Sequence, residues 1–139
     1  MGGAIRHRRQ RHPRSERTSP AKTIFIGADD AVLEPGCGTG LNADGLATQA
    51  SHVVATDVSA EMLTRTQERF NSELVTPRAL DVTVPWPFEA GRFDAVVATL
   101  VLEHAETLGP VFRETRRVVR DRGTFYRAEL HSYRQFVGL

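Results

Sequence analysis

One cysteine, one lysine and one tryptophan occur in 139 residues, and no apolar run approaches the roughly 18 residues that would suggest a membrane span. Cys37 alone cannot form an internal disulfide, and no CxxC or clustered Cys/His pair offers metal-ligand spacing, so neither a disulfide framework nor a bound metal is expected. The N-terminus lacks the apolar core of a secretory signal. These absences lead us to expect a cytoplasmic protein with no membrane partner, held together by its hydrophobic core alone. A chain of this length buries enough surface for one domain, and 40% hydrophobic with 25% charged residues is ordinary globular usage.

The net charge of +1 hides an asymmetry. Residues 1–22 carry six arginines and Lys22 against Glu16 alone, for +6, and the rest sums to −5. This segment has two prolines, Ile5 as its only sizeable aliphatic side chain, and no period that would bury a face. It is expected to be a disordered Arg-rich tail, with the folded domain spanning residues 23–139. Such a tail neutralises phosphate backbones, yet it brings no aromatic platform and no recognition helix, so nucleic acid is not the favoured partner.

Beyond the tail, short apolar runs alternate with segments of helical spacing, the pattern of repeated βαβ units. Ala31-Val32-Leu33 reads as a strand stopped by Glu34-Pro35-Gly36, with a helix from about Leu41 to Ala50. His52 to Thr56 is a second strand. Ser59 then caps a helix with Met62, Thr66 and Phe70 at four-residue spacing. A weaker strand from Leu74 to Leu80 contains Pro77, which has no donor for a sheet ladder and predicts an edge position. Phe93 to Ala98 reads as a buried strand. Leu108, Val111, Phe112, Thr115, Val118 and Val119 share one helical face opposite Arg113, Glu114, Arg116, Arg117 and Arg120. Asp121-Arg122-Gly123 is expected to turn the chain into a last strand from Thr124 to Leu130. Short connections and right-handed crossovers make this an α/β protein with a doubly wound, mostly parallel sheet of Rossmann-like type.

Chemistry concentrates where the first strand runs into Glu34-Pro35-Gly36-Cys37-Gly38-Thr39-Gly40. Glycines at alternate positions let backbone N–H groups approach a ligand beyond the carboxyl end of the strand. Asp57 follows Gly36 by 21 residues, near the spacing at which a carboxylate accepts hydrogen bonds from ribose hydroxyls, although a turn or cap role is also open to it. The residue three after Gly38 is Leu41, not the Gly or Ala of a nicotinamide or flavin site. No Gly-Lys-Ser/Thr follows, which excludes a phosphate-cradling P-loop. Cys37 has no histidine placed beside it by the sequence to activate a nucleophile.

E-P-G-C-G-T-G after an apolar strand, then V-A-T-D-V-S-A-E-M-L, A-L-D-V-T-V-P-W-P-F and F-D-A-V-V-A-T-L-V-L-E-H, resembles the class I S-adenosylmethionine-dependent methyltransferases acting on small molecules, over about residues 31 to 130. The resemblance implies S-adenosylmethionine as cofactor. Glu34, Gly36, Cys37, Gly38 and Gly40 would surround its methionine and ribose portions. Asp57 would take the ribose hydroxyls, Val58 and Met62 would line the adenine, and Asp81 would accept from the adenine amino group with Val82 beside it. Thr99 and Leu100 would lie at the sulfonium end. His104 is a weak candidate acid or base, and a structural role for Glu103-His104 weighs more.

Two departures from the family pattern matter. Asp121-Arg122-Gly123 keeps one glycine of the usual Pro-Gly-Gly, and the sheet is expected to lack the family's last two strands. An apolar fifth strand with Phe125 and Tyr126 would then need a cover, such as a second copy in a homodimer. The resemblance implies methyl transfer to a small-molecule oxygen, nitrogen or carbon. Two alternatives stand beside it: a non-catalytic S-adenosylmethionine-binding module, and a nucleic-acid methyltransferase anchored by the basic tail. Against the last, Thr99-Leu100-Val101 stands where amino-methylating enzymes of nucleic acids resemble one another in Asn/Asp-Pro-Pro-aromatic.

Overall fold

The computed structural model describes residues 25–38, 40–70, 73–99 and 106–128. The Arg-rich tail, Leu100 and His104 lie outside the described residues. Five strands and three helices follow in the order β1 (Ala31–Glu34), α1 (Leu41–Ala47), β2 (His52–Asp57), α2 (Ala60–Arg69), β3 (Val75–Ala79), β4 (Phe93–Thr99), α3 (Gly109–Val118) and β5 (Val119–Ala128). The strands form one parallel sheet in the order β3-β2-β1-β4-β5. The chain winds outward from β1 through β2 to β3, then crosses back to β4 and β5. The reversal falls between β1 and β4, and a crevice opens there beyond the carboxyl ends of the strands.

Alternation along the strands feeds two cores. Val32, Val53, Ala55, Ala95 and Val97 face α1 and α2 and pack with Ala43, Leu46 and Leu63. Leu33, Val54, Val96 and Ala98 face the other way, onto Val111 and Val118 of α3. No helix forms between β3 and β4. Its place under the sheet is filled by Trp86 and Phe88, both buried, from an irregular loop. Two residues of α3 hold this loop. The Arg117 guanidinium donates to the carbonyls of Phe88 (2.6 Å) and Trp86 (2.9 Å), and Glu114 accepts from the Trp86 backbone N–H at 2.7 Å. A buried loop has backbone polar groups that must find partners, and here a helix supplies them.

Pro77 lies on β3, which pairs with β2 alone among the described residues, as its missing donor requires. Two boundaries differ from expectation. α1 ends at Ala47 with Thr48 as its cap, one turn short of Ala50. The turn expected at Asp121-Arg122-Gly123 is instead a bulge inside β5, which starts at Val119 directly after α3. Phe93 pairs with Val119 and Ala95 with Thr124, so the extra residues loop out opposite Asp94. An Arg120–Asp94 ion pair ties the bulge to β4. Arg122 takes up the reversal at φ 64°, a left-handed conformation that favours glycine. A Cβ on Gly123 would stand 2.8 Å from the Asp94 carbonyl and 2.9 Å from that of Arg120, closer than real Cβ atoms come. Arg122→Gly is therefore expected to raise stability by about 1 kcal/mol and Gly123→Ala to lower it by about 2 kcal/mol, read as opposite shifts in urea midpoint at unchanged slope.

Candidate functional site

β1 ends at Glu34, and the loop that follows turns on Gly36, Gly38 and Gly40 at φ 69°, 56° and 87°. L-residues with a Cβ resist this conformation, which is why the loop is rich in glycine. Gly40 is also packed: a Cβ there would come within 2.8 Å of the Phe70 ring. At Gly38 a Cβ would meet nothing within 4 Å, so the loop leaves open space there.

β2 and α2 pin this loop. Cys37 N–H donates to the Thr56 carbonyl at 2.6 Å, and the Thr66 hydroxyl donates to the Gly38 carbonyl at 3.1 Å. Asp57 bridges two loops, its Oδ2 accepting from Gly38 N–H at 3.0 Å and its Oδ1 from Ser59 N–H at 2.9 Å. Ser59 caps α2 by accepting from Met62 N–H at 3.3 Å. The turn role open to Asp57 is therefore present. Two backbone contacts still leave lone pairs on a carboxylate for a ligand.

A cavity of about 660 Å³ opens beside these groups, within the range of small-molecule sites. It brings together eight of the residues predicted from sequence: Gly36, Gly38, Asp57, Val58, Met62, Asp81, Val82 and Thr99. Val58 is an apolar side chain 77% exposed, as a ligand-facing wall residue would be. Ser59, Leu80 and Thr83 also line the cavity and were not predicted to; each adjoins a predicted residue, and that adjacency was the available signal. Glu34, Cys37 and Gly40 are not on its surface. Glu34 and Cys37 are buried at 1% and 6% exposure, and Gly40 packs on α2.

Burial dominates the electrostatics. Neither Glu34 oxygen makes a well-formed hydrogen bond, and the carboxyl is pushed up to about 8 by desolvation, with the Asn42 side chain pulling downward and the Asp57 charge pushing upward. The Thr99 hydroxyl, at the carboxyl end of the neighbouring β4, is likewise buried without a partner. The Cys37 thiol is raised to about 11, chiefly by burial, which removes it as a nucleophile near neutrality. Asp81 has its pKa lowered by the Thr83 hydroxyl, which donates to it at 2.6 Å, and stays ionised. The loop carrying Val82 is anchored from behind, because Trp86 Nε1 donates to the Val82 carbonyl at 3.2 Å and Trp86 is itself held by α3.

Glu34 sets a pH dependence with a definite sign. Its folded pKa lies above the unfolded value of 4.5, so its stabilising share is complete below about pH 4.5 and is lost as pH rises toward about 8. Denaturant titrations of wild type and Glu34→Gln between these limits are expected to show a wild-type stability decline, on the order of a few kcal/mol, that the variant lacks.

A family model described as "Methyltransferase domain" matches residues 33–127. The uncharacterized methyltransferase Rv0089 of Mycobacterium tuberculosis is 40% identical over 75 residues, covering 54% of this chain and 38% of that protein. The malonyl-[acyl-carrier protein] O-methyltransferase of Legionella pneumophila is 32% identical over 94 residues, covering 66% of this chain and 33% of that protein. The chain thus spans about a third of the length of these curated relatives. Among solved structures, the S-adenosylmethionine-dependent methyltransferase of Mesorhizobium loti superposes with a TM-score of 0.68 at 21% identity, over 76% of this chain and 50% of that one.

Proposed function

Because the chain belongs to the methyltransferase domain family, we propose that it binds S-adenosylmethionine in the crevice at the ends of β1, β2 and β4 and transfers the methyl group to a small-molecule acceptor. The observation that carries this reading is the cavity that gathers Gly36, Gly38, Asp57, Val58, Met62, Asp81 and Thr99 at the strand ends, with the buried Thr99 hydroxyl free for a ligand. A buried polar group without a partner is costly unless something supplies one. The ammonium of an amino-acid moiety matches Glu34, two vicinal hydroxyls match the free lone pairs of Asp57, and an amino-purine matches the ionised Asp81 with Val58 and Met62 as apolar walls.

When bound, S-adenosylmethionine supplies a methyl group on a sulfonium, which a nucleophile takes in line. The chain's part is positional. Gly36 and Gly38 let the backbone approach, Asp57 orients the ribose, and Thr99 would lie beside the sulfonium. The name of the Legionella relative, an O-methyltransferase, supports oxygen as the acceptor atom. On this reading residues 23–139 are the cofactor-binding unit and residues 1–22 a separate basic extension. Among the described residues no helix is long and apolar enough to cross a membrane, and a reduced Cys37 suits a cytoplasmic setting.

Calorimetry with S-adenosylmethionine tests the reading. Wild type is expected to bind in the micromolar range, and Asp57→Ala to lose about 10- to 100-fold, since charged hydrogen bonds are worth about 1.5–3 kcal/mol. The sign of the proton linkage follows from Glu34: a cation beside it favours the ionised form, so binding at pH 7 releases a proton and tightens as pH rises toward about 8. A folded wild type that binds nothing would sink the proposal.

A further inference from the structure

Between β3 and β4 the chain forms no helix or strand, and this irregular stretch supplies the Asp81–Thr83 wall of the cavity. Regular structure would satisfy its backbone groups locally; without it they depend on side chains from elsewhere. Toward β2 the tie is Leu80 N–H, which donates to the Asp57 carbonyl at 3.0 Å. Within the wall the Thr83 hydroxyl and N–H both donate to Asp81 Oδ1, at 2.6 and 2.9 Å. Behind it the buried Trp86 donates from its indole Nε1 to the Val82 carbonyl at 3.2 Å.

Trp86 is itself gripped by α3. Glu114 Oε2 accepts from its backbone N–H at 2.7 Å, and the Arg117 guanidinium donates to its carbonyl at 2.9 Å and to that of Phe88 at 2.6 Å. Glu114 and Arg117 stand one helical turn apart and bond each other twice, at 3.0 and 2.7 Å. Those bonds hold the Glu114 carboxyl below the usual carboxylate range, so the acceptor of the Trp86 N–H is charged at neutral pH. An exposed ion pair contributes little by itself. This one also reaches backbone groups 28 to 31 residues away, and the guanidinium fork that meets two carbonyls and a carboxylate at once has no equal in a lysine.

We propose that Glu114 and Arg117 are positioning residues for the cofactor, holding the Asp81–Thr83 wall against the base and its amino group through Trp86; this rests on the reading of the cavity given above. Neither residue lines the cavity, so any effect on a ligand passes through the loop. Burial of Trp86 and Phe88 keeps the loop under the sheet, but apolar contact is non-directional. The hydrogen bonds set how the loop is turned, and with it where Asp81 stands. Architectural support alone would predict something different: lower stability, with unchanged binding by the molecules that stay folded.

Calorimetry with the full chain tests this, using S-adenosylhomocysteine and S-inosylhomocysteine, which carries an oxygen where adenine carries its amino group. Arg117→Lys is expected to weaken S-adenosylhomocysteine about tenfold and S-inosylhomocysteine less, narrowing the preference between them. Trp86→Phe keeps the apolar bulk, removes the bond to Val82 and should give a loss in the same direction. Arg117→Lys added to Trp86→Phe should cost less than it does alone, the mark of a shared route. Gly123→Ala, expected to lower stability from outside the cavity, should bind both ligands like wild type. Trp86 is the only tryptophan, so quenching of its emission by acrylamide should rise in ligand-free Arg117→Lys. With a wild type that binds, unchanged affinity in Arg117→Lys or Trp86→Phe, equal loss of both ligands, strict additivity or unchanged quenching would each overturn this proposal alone. A wild type that binds neither ligand would overturn the reading of the cavity along with it.

Discussion

The Asp57 carboxylate is the joint on which the crevice depends. One oxygen holds the Gly38 N–H of the first βα loop and the other the Ser59 N–H at the start of α2. Two loops from neighbouring strands are thereby fixed to each other by one side chain at the carboxyl end of β2. The three left-handed glycines make the loop able to curve toward that carboxylate, and Cys37 N–H on the Thr56 carbonyl keeps it there. Without Asp57 the two loops lose their shared anchor, and the first is left to the Cys37–Thr56 and Thr66–Gly38 bonds.

Around this joint the fold buries two polar side chains where two adjacent strands end. Glu34 and Thr99 close β1 and β4, and the sheet that buries them also strips them of water. Burying a carboxylate without a partner shifts its protonation instead of leaving a bare charge. That accounts for the raised Glu34. On the far side, Arg117 and Glu114 secure the loop behind Val82, so that wall of the cavity rests on α3 although no helix links β3 to β4.

Much of this was legible in residues. Alternating apolar runs announced the strands, Pro77 announced an edge, and Ser59 announced its helix. The glycine spacing and Asp57 pointed to a ligand-binding loop, the resemblance to the methyltransferases implied Asp81 and Thr99, and one cavity gathers them. What escaped was tertiary. Asp121-Arg122-Gly123 has the composition of a turn, yet the ladder to β4 continues through it because Arg120 pairs with Asp94 and Gly123 packs against the Asp94 backbone. Nor does composition tell that Glu34 lies buried behind the glycine loop while its neighbours Gly36 and Gly38 line the cavity. Depth behind a loop is set by packing of the whole sheet.

A crystal structure of the chain with S-adenosylhomocysteine tests the central claim most directly. The account places the ribose hydroxyls on Asp57, the amino group within reach of Glu34 and the adenine between Val58 and Met62 with its amino group on Asp81. A ligand bound in that crevice with its ribose away from Asp57, or bound elsewhere on the molecule, would contradict it.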